Sequence, residues 1–152
     1  MPTIAERLHE LGLVVPTATA PMALYVPARR VGQLVYTAGQ VSRGADREFI
    51  GKVGADVSLE DGQAAARLCA LNCLSALLTV IDSLDRVTQL VRVGGFVNAA
   101  PGFVQVPQVV NGASELFIQV FGDAGKHART AVGVAELPSN YAVEVELIAQ
   151  VE

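Results

Sequence analysis

Apolar residues recur along the chain with two periods, and each period predicts a type of element. Residues 3–11 carry isoleucine and leucine at helical spacing, which predicts a short amphipathic helix with Thr3 as its N-cap and Gly12 as its stop. The linking loop that follows is predicted to end at Met22. The pattern of residues 23–41 is typical of strands, with a glycine turn that predicts a β-hairpin.

Two longer segments have the period of helices. The first begins at Ser58, where the letters SLED resemble a capping box, and is predicted to end at Asp82-Ser83. The second spans residues 107–122. The buried stripe of the first is predicted to be Leu68, Leu71, Leu74, Leu78 and Ile81. The apolar side of the second is predicted to be Val109, Val110, Leu116, Phe117, Val120 and Phe121.

The remaining segments have the composition of strands and turns. Residues 87–98 are β-branched and apolar on both faces except at Arg92, and the pair Gly94-Gly95 predicts a bulge or a close backbone approach. The final segment, HARTAVGVAELPSNYAVEVELIAQVE, has valines at alternate positions on both sides of a Leu-Pro-Ser-Asn turn. It is therefore predicted to form a closing β-hairpin.

This order of elements predicts an α+β domain in which two long helices cover one face of a four- or five-stranded sheet. Because residues 87–98 are apolar on both faces, the second face of the sheet also needs cover, and the chain has no element left to supply it. We therefore expect one domain over residues 1–152, with residues 1–22 as an N-terminal extension. We expect it to form an obligate oligomer, sheet against sheet.

The composition agrees with a large core and a thinly charged surface. Apolar residues make up 51% of the 152 residues and charged residues 17%, against about 25% charged in typical domains. The net charge is -4, and the 11 lysines and arginines form no run longer than Arg29-Arg30. Proteins that follow a phosphate backbone usually carry a basic stripe, so we expect no nucleic-acid partner.

Further features bear on compartment and metal binding. The N-terminal letters MPTIAERLHEL lack the apolar centre of a signal peptide, and polar residues interrupt the apolar run 63–82, which therefore does not predict a membrane span. Cys69 and Cys73 lie on one helix face, but two thiols alone cannot complete a zinc site. We interpret them as buried apolar residues in a reducing compartment. We expect a cytoplasmic protein with no membrane partner, metal or cofactor.

Arg129 is the first candidate for chemistry. Small residues follow it on its own side of the predicted strand, at Ala131, Gly133 and Ala135. A guanidinium above such a floor has room for a carboxylate, which it can bind through two parallel hydrogen bonds. The alternative is an arginine on the rim of the domain, either exposed or paired with a glutamate across the hairpin.

Glu144 and Glu146 are the second candidate. They share one face of the last predicted strand, while apolar residues occupy the other face. Either they form a plain solvent-facing surface, or one carboxylate holds a water molecule near a pocket arginine. No GxSxG, HExxH, P-loop or GxGxxG pattern is present, so nucleophile-and-base chemistry has no support from sequence motifs.

Four further residues each have a functional and a structural interpretation. Gly39 lies at a strand end in YTAGQV, where its backbone would either contact a ligand or simply allow the chain to turn. Tyr25 is either a pocket lid or an ordinary strand aromatic. Asn111 either hydrogen-bonds within a pocket or lies on a helix surface. His127 is close to Arg129 in sequence and would tune it, or it has no special role.

Taken together, YTAGQV, HARTAVGVAELP and VEVELIA resemble the Rid family of reactive intermediate deaminases, also called YjgF. The hallmarks of that family are a strand ending in Ser/Ala-Gly-Gln, a long helix, Pro-Ala-Arg-Ser/Thr, a Leu-Pro turn and a terminal Val-Glu-Ile/Val-Glu strand. They occur here in that order from about Tyr25 to the end of the chain. The spacing from Arg129 to Glu146 needs no gap.

The resemblance implies a chorismate-mutase-like fold with a mixed β-sheet, and a homotrimer with sites in clefts between subunits. It implies hydrolysis of 2-imino acids of the 2-aminoacrylate type to 2-oxo acids and ammonia. By matching positions, it makes Arg129 the carboxylate clamp and Glu144 the carboxylate that positions water. The residues implied to contact the substrate are Tyr25, Gly39, Asn111 and Ala131.

The chain also departs from the family pattern. Ala38 stands in place of a serine, Ala131 in place of a cysteine, and His127 in place of the proline of Pro-Ala-Arg. The chain is longer than typical members, with the N-terminal helix and an insertion around 42–55. We therefore expect a longer subgroup with a reshaped pocket, whose natural substrate stays open.

Two other functions stay open beside the deaminase. A non-catalytic trimer that senses a small carboxylate would use the same Arg129, and a turnover assay separates the two. Ribonuclease or translation-inhibitor activity is attached to some members of the family. The pI of about 5.1 and the lack of a basic stripe argue against it here.

Overall fold

The computed structural model describes residues 1–18 and 24–152. The predicted loop end at Met22 and the predicted strand start at Ala23 lie outside these residues. The helices of the described part are α1 (Ile4–Glu10), α2 (Leu59–Leu77) and α3 (Val106–Phe121). Its strands are β1 (Ala28–Val31), β2 (Leu34–Thr37), β3 (Gln40–Val41), β4 (Val87–Asn98), β5 (Ala128–Val134) and β6 (Val143–Val151).

Side-chain caps begin the first two helices, as predicted. The Thr3 hydroxyl accepts a hydrogen bond from the Glu6 amide at 3.1 Å, and the Glu6 carboxylate accepts one from the Thr3 amide at 2.7 Å. Gly12 follows α1 with φ of 67°, a conformation that favours glycine. The Ser58 hydroxyl caps α2 by accepting from the amide of Asp61.

The second helix ends earlier than predicted, and its buried face is different. It stops at Leu77, and the Thr79 hydroxyl donates to the carbonyl of Ala76 in the turn that follows. Leu78 is consequently 40% exposed, so the predicted leucine stripe is wrong at this position. The buried face of α2 consists mainly of small residues, which bring the helix close to the sheet: Gly62, Ala65, Ala66, Cys69, Ala70, Cys73, Leu74, Ser75, Ala76 and Leu77.

The two cysteines of α2 are buried, as predicted. Their thiols donate to the carbonyls of Val143 and Val145 on β6, each at 3.4 Å. Burial raises the pKa of the Cys73 thiol to about 12. Helix α3 lies within one residue of its predicted ends, and all six residues of its predicted apolar side are buried.

The strands form one mixed sheet in the order β1-β2-β6-β4-β5, with β3 also paired to β6. The predicted closing hairpin is therefore wrong, because β4 lies between β5 and β6. Strand β4 runs parallel to β5 and antiparallel to β6, so that Gly95 has Ala131 on one side and Val145 on the other. The parallel pair is connected through α3, since parallel neighbours need a crossover rather than a tight turn.

Both long helices pack on one face of this sheet. Alternate residues of β6 point toward the helices and are at most 1% exposed: Val143, Val145, Leu147, Ala149 and Val151. On the opposite face, Tyr36 is 43% exposed and Val132 is 40% exposed. The described part of the chain supplies no helix to cover this second face, which we call the open face.

Gly94 and Gly95 are closely approached by neighbouring side chains. A Cβ atom at Gly94 would lie 2.8 Å from Glu146 Oε1, and one at Gly95 would lie 2.6 Å from the Val110 methyl groups. The prediction of a bulge or a close backbone approach at this pair is therefore wrong, because the close neighbours are side chains. The irregularities in the β4–β6 ladder lie earlier in β4, between Val87 and Arg92. Within the described ranges, no helix is long and apolar enough to cross a membrane.

Candidate functional site

The Arg129 guanidinium is fixed against α3. Arg129 shares the helix-covered face with its register partner on β4, Val93, which is fully buried. Its Nη1 donates to Asn111 Oδ1 at 2.8 Å and to Ser114 Oγ at 3.2 Å, and its Nη2 donates to the Pro107 carbonyl at 3.4 Å. These contacts hold the plane of the guanidinium in one orientation.

One edge of this guanidinium, formed by Nε and Nη2, is only partly used by the described residues. In residues 1–18 and 24–152, Nε of Arg129 donates to no acceptor, and Nη2 has a single long hydrogen bond. The same residues place no carboxylate within ion-pair distance of Arg129. The Nε–Nη2 edge matches the spacing of two carboxylate oxygens. The half-buried Arg129 therefore has donors on this edge that are available to an external acceptor.

His127 extends this group of residues. Its Nε2 lies 2.9 Å from the same Ser114 hydroxyl that Arg129 contacts, and its Nδ1 lies 2.6 Å from the Gly125 carbonyl. Burial and, to a smaller extent, the charge of Arg129 lower the pKa of His127, while the hydrogen bond to Gly125 opposes the shift. We call Arg129, Asn111, Ser114 and His127 the Arg129 half-site.

Glu144 lies against the backbone of Gly39. Strand β3 pairs with β6 at this point, and a Cβ atom at Gly39 would overlap the Glu144 carboxylate. Glu144 is half-buried, and this burial raises the pKa of its carboxyl group; the nearby charge of Glu146 raises it further. A carboxyl group tuned in this direction is better suited to exchange protons near neutral pH. We call Glu144 and Gly39 the Glu144 half-site.

Glu146 has different surroundings. It is exposed and lies over Gly94 in a small cavity of about 120 Å³ on the open face, whose lining also includes Arg92 and Tyr36. Arg92 donates to Thr130 Oγ1 on β5 at 2.8 Å. The two glutamates share one strand face, as predicted, but only Glu144 has the buried setting beside Gly39.

The two half-sites face opposite sides of the sheet. On β4, Val93 pairs with Arg129 and Phe96 pairs with Glu144. Val93 and Phe96 are three residues apart in one strand, so their side chains, and those of their partners, point to opposite faces of the sheet. The interpretation that pairs Arg129 with a glutamate across a hairpin is therefore wrong. Within one chain, Arg129 and Glu144 do not converge on a common ligand.

The other predicted site residues fall into three groups. Asn111 belongs to the Arg129 half-site, and Ala131 shares its strand face while packing against the core. Gly39 belongs to the Glu144 half-site. Tyr25 is 55% exposed, precedes β1 and contacts neither half-site through a hydrogen bond to the described residues.

Ser114 was not identified from the sequence. It follows Asn111 by three residues on α3, which places both side chains on one helix face. That spacing was available as a signal once Asn111 had been singled out. No group of three or more metal-binding side chains occurs in the ranges that the structure describes.

The sheet order and the two helices on one face define an α+β protein of the chorismate-mutase-like type. The family model described as "YjgF/chorismate_mutase-like, putative endoribonuclease" matches residues 5–151. This chain therefore belongs to the YjgF family.

Individual relatives agree with this assignment. The chain is 40% identical to protein TCP17 of Trypanosoma cruzi over 149 residues, 97% of this chain and 93% of the relative. It is 31% identical to the 2-iminobutanoate/2-iminopropanoate deaminase of Dermatophagoides farinae over 137 residues, 90% of this chain and 93% of the relative. The crystal structure of protein Atu1372 from Agrobacterium tumefaciens superimposes with a TM-score of 0.91 at 39% identity, over 98% of this chain and 92% of that one.

Proposed function

We propose that this protein hydrolyses 2-imino acids to 2-oxo acids and ammonia, in clefts between the subunits of a homotrimer. The observation that carries the proposal is the Arg129 guanidinium, which α3 holds while Nε donates to no acceptor among the described residues and Nη2 makes one long hydrogen bond. A 2-imino acid presents a carboxylate next to its reactive carbon, so this edge would bind and orient it. The similarity to a 2-iminobutanoate/2-iminopropanoate deaminase supports the same substrate class.

The reaction needs little beyond orientation and proton transfer. Water adds to the electrophilic C=N carbon, and the tetrahedral adduct releases ammonia as its C–N bond breaks and the C=O bond forms. Fixing the carboxylate contributes several kcal/mol by holding the carbon in place for attack. Glu144, with its raised pKa, takes a proton from the attacking water and returns it to the nitrogen as ammonia leaves, a role that contributes about 10²- to 10⁴-fold.

The positions of the two half-sites support an assembly of subunits, and the homotrimer implied by the family resemblance is the assembly that we propose. Because the half-sites face opposite sides of one sheet, a cleft that uses both needs the Arg129 half-site of one subunit and the Glu144 half-site of another. The open face, with Tyr36 and Val132 exposed, is the surface that we assign to contact between subunits. Packing sheet against sheet would bury it.

The direct test replaces the carboxylate clamp. We expect Arg129→Ala to lower kcat/KM about 10²- to 10⁴-fold, because it removes two charge-assisted hydrogen bonds of about 1.5–3 kcal/mol each. The assay generates 2-iminobutanoate in situ by oxidation of the amino acid and follows loss of the imine. The control is Arg47→Ala, which removes an exposed pair with Asp61 and a cation–π contact with Phe49 and should leave activity unchanged.

The outcomes separate the candidate functions. Wild-type turnover that persists in Arg129→Ala would contradict the carboxylate clamp. If the wild-type protein binds 2-oxobutanoate through Arg129 but does not accelerate imine loss, the protein is a carboxylate sensor instead. Salt-dependent RNA binding or cleavage would favour a ribonuclease.

A further inference from the structure

His127, Ser114 and Arg129 form one continuous chain of hydrogen bonds. Nδ1 of His127 lies 2.6 Å from the Gly125 carbonyl, and Nε2 lies 2.9 Å from Ser114 Oγ. Ser114 Oγ in turn accepts from Nη1 of Arg129 at 3.2 Å. The ring of His127 also meets Phe117 edge-on, with centroids 5.9 Å apart, which fixes its plane.

The partners assign the proton positions on His127. A carbonyl oxygen can only accept, so the proton of the neutral ring lies on Nδ1. Nε2 is then an acceptor, and the Ser114 hydroxyl donates to it while accepting from Arg129. A neutral His127 therefore completes the chain from the Gly125 carbonyl to the guanidinium.

Protonation of His127 would reverse one link of this chain. Nε2 would then donate to Ser114 Oγ, which has a second lone pair for Arg129. The Ser114 hydroxyl hydrogen would be released and could point to a ligand at the guanidinium. This state is disfavoured because it places a second positive charge close to the guanidinium of Arg129.

Several charged groups lie on the elements around His127. They are Glu115 on α3, Asp123 and Lys126 in the turn before β5, Arg129 on β5 and Arg92 on β4. Asp123 and Lys126 are exposed and pair with each other at 2.8 Å. Among these groups, the charge of Arg129 contributes to the lowered pKa of His127.

We propose that His127, acting through Ser114, is a positioning residue for Arg129, and that binding of a carboxylate at Arg129 draws a proton onto His127. This proposal rests on the proposed function, because it requires Arg129 to bind a carboxylate. A bound carboxylate neutralises the charge that opposes the imidazolium. Linkage makes the effect reciprocal, so that a protonated His127 strengthens carboxylate binding.

The sign of the pH dependence follows from this coupling. In the free protein the pKa of His127 is lowered, first by burial and then by Arg129, so the ring is neutral at pH 7. The carboxylate removes the Arg129 contribution and the pKa rises. Binding should therefore tighten as the pH falls through the interval between the two pKa values.

The experiment is an NMR titration of both histidines in the wild-type protein, with and without saturating 2-oxobutanoate as the probe. We expect the pKa of His127 to rise by about half a unit to one unit on binding, which corresponds to a dissociation constant about three- to tenfold lower at acidic than at alkaline pH. His9 is exposed on α1 and serves as the internal control, with no change expected.

Two variants separate the contributions of the titrating groups. His127→Gln keeps an acceptor for Ser114 but cannot titrate, and it should abolish this pH dependence while binding persists. Glu144→Gln removes the other titrating group of the cleft. In this variant the pKa of His127 should still rise when 2-oxobutanoate binds. A His127 that titrates identically with and without bound 2-oxobutanoate overturns the inference alone. Failure of the wild-type protein to bind 2-oxobutanoate overturns the proposed function, and the inference with it.

Discussion

At Gly39, the absence of a side chain decides where the Glu144 carboxylate can lie. The space that a Cβ atom would occupy is filled by the carboxyl group, with Glu144 Cδ 2.9 Å and Cγ 3.2 Å from the Cβ position. Because these atoms belong to a flexible side chain, the carboxylate can move aside without disturbing the backbone. The requirement for glycine at this position therefore concerns the position of the carboxylate more than stability.

We predict that Gly39→Ala lowers kcat/KM by about 10²-fold, close to the effect of Glu144→Gln, because it displaces the carboxylate to which we assign proton transfer from water. Unfolding free energy should change by less than about 1 kcal/mol. Imine turnover and thermal unfolding are the measurements.

A double-mutant cycle with Glu144→Ala supplies the control. With the glutamate side chain already absent, Gly39→Ala should have little further effect on turnover. If the activity loss of the double variant equals the product of the two single losses, Gly39 acts independently of Glu144.

The sequence predicted the positions of some site residues but not of others. Alternation along β6 correctly placed Glu144 and Glu146 on one face, because strand periodicity is a local property. Ser114 was missed because its importance depends on Arg129, which reaches it from another element. Neighbours that a side chain contacts on another element can be identified only when the packing of helix on sheet is known.

At the scale of elements, α2 and α3 cross at a point where only glycine fits. A Cβ atom at Gly112 of α3 would overlap the backbone of α2, with the Gln63 carbonyl carbon 2.8 Å and Cα 3.0 Å away. Backbone atoms cannot move aside without shifting the whole helix. The Gln63 side chain also donates to the Gln108 carbonyl of α3 at 3.0 Å, which ties the helices together here.

We predict that Gly112→Ala destabilises the protein by about 1–3 kcal/mol, because the two helices must separate. The matched control is Gly62→Ala on α2, where the atoms nearest to the Cβ atom would belong to the side chains of Val53 and Val109, at 3.2–3.4 Å. In a helix, alanine is more favourable than glycine by about 1 kcal/mol. This gain offsets the cost of the crowded contacts, so Gly62→Ala should leave the free energy of unfolding nearly unchanged. Denaturant unfolding of both variants is the test, and equal losses of stability would contradict this account of the crossing.

Strand order was the element-scale feature that the sequence did not reveal. The Leu-Pro-Ser-Asn turn between β5 and β6 has the local signal of a hairpin, yet Asn98 at the end of β4 lies beneath it and donates to Asn140 at 2.9 Å. The apolar character of both faces of β4 was consistent with a central strand. Local turn chemistry cannot show whether a third strand lies between two neighbours in sequence.

At the scale of the whole molecule, the placement of the half-sites makes a prediction about assembly. Arg129 faces the helix side of the sheet and Glu144 the open side. A composite cleft between subunits reconciles this arrangement with the proposed reaction, which uses both groups. For the proposed homotrimer, light scattering should give a mass three times the 15.9 kDa of the chain.

Complementation tests the composite cleft itself. Chains carrying Arg129→Ala and chains carrying Glu144→Gln are expected to be inactive alone, but when co-expressed they form mixed trimers. A cleft with its Arg129 half-site from the second chain and its Glu144 half-site from the first is intact. When the two chains are mixed equally, each half-site of a cleft is intact in about half of the cases. Both half-sites are therefore intact in about a quarter of the clefts.

The matched control combines Arg129→Ala with Asn111→Ala. Asn111 accepts from Nη1 of Arg129 within the same half-site, so every cleft of this mixture lacks one of the two residues. No activity above that of the parent variants should return. Equal recovery in the two mixtures, or no recovery in the first, would mean that Arg129 and Glu144 do not meet across a subunit boundary. If activity recovers only in the first mixture, Arg129 of one subunit and Glu144 of another must form the cleft together, because neither parent chain contains both residues.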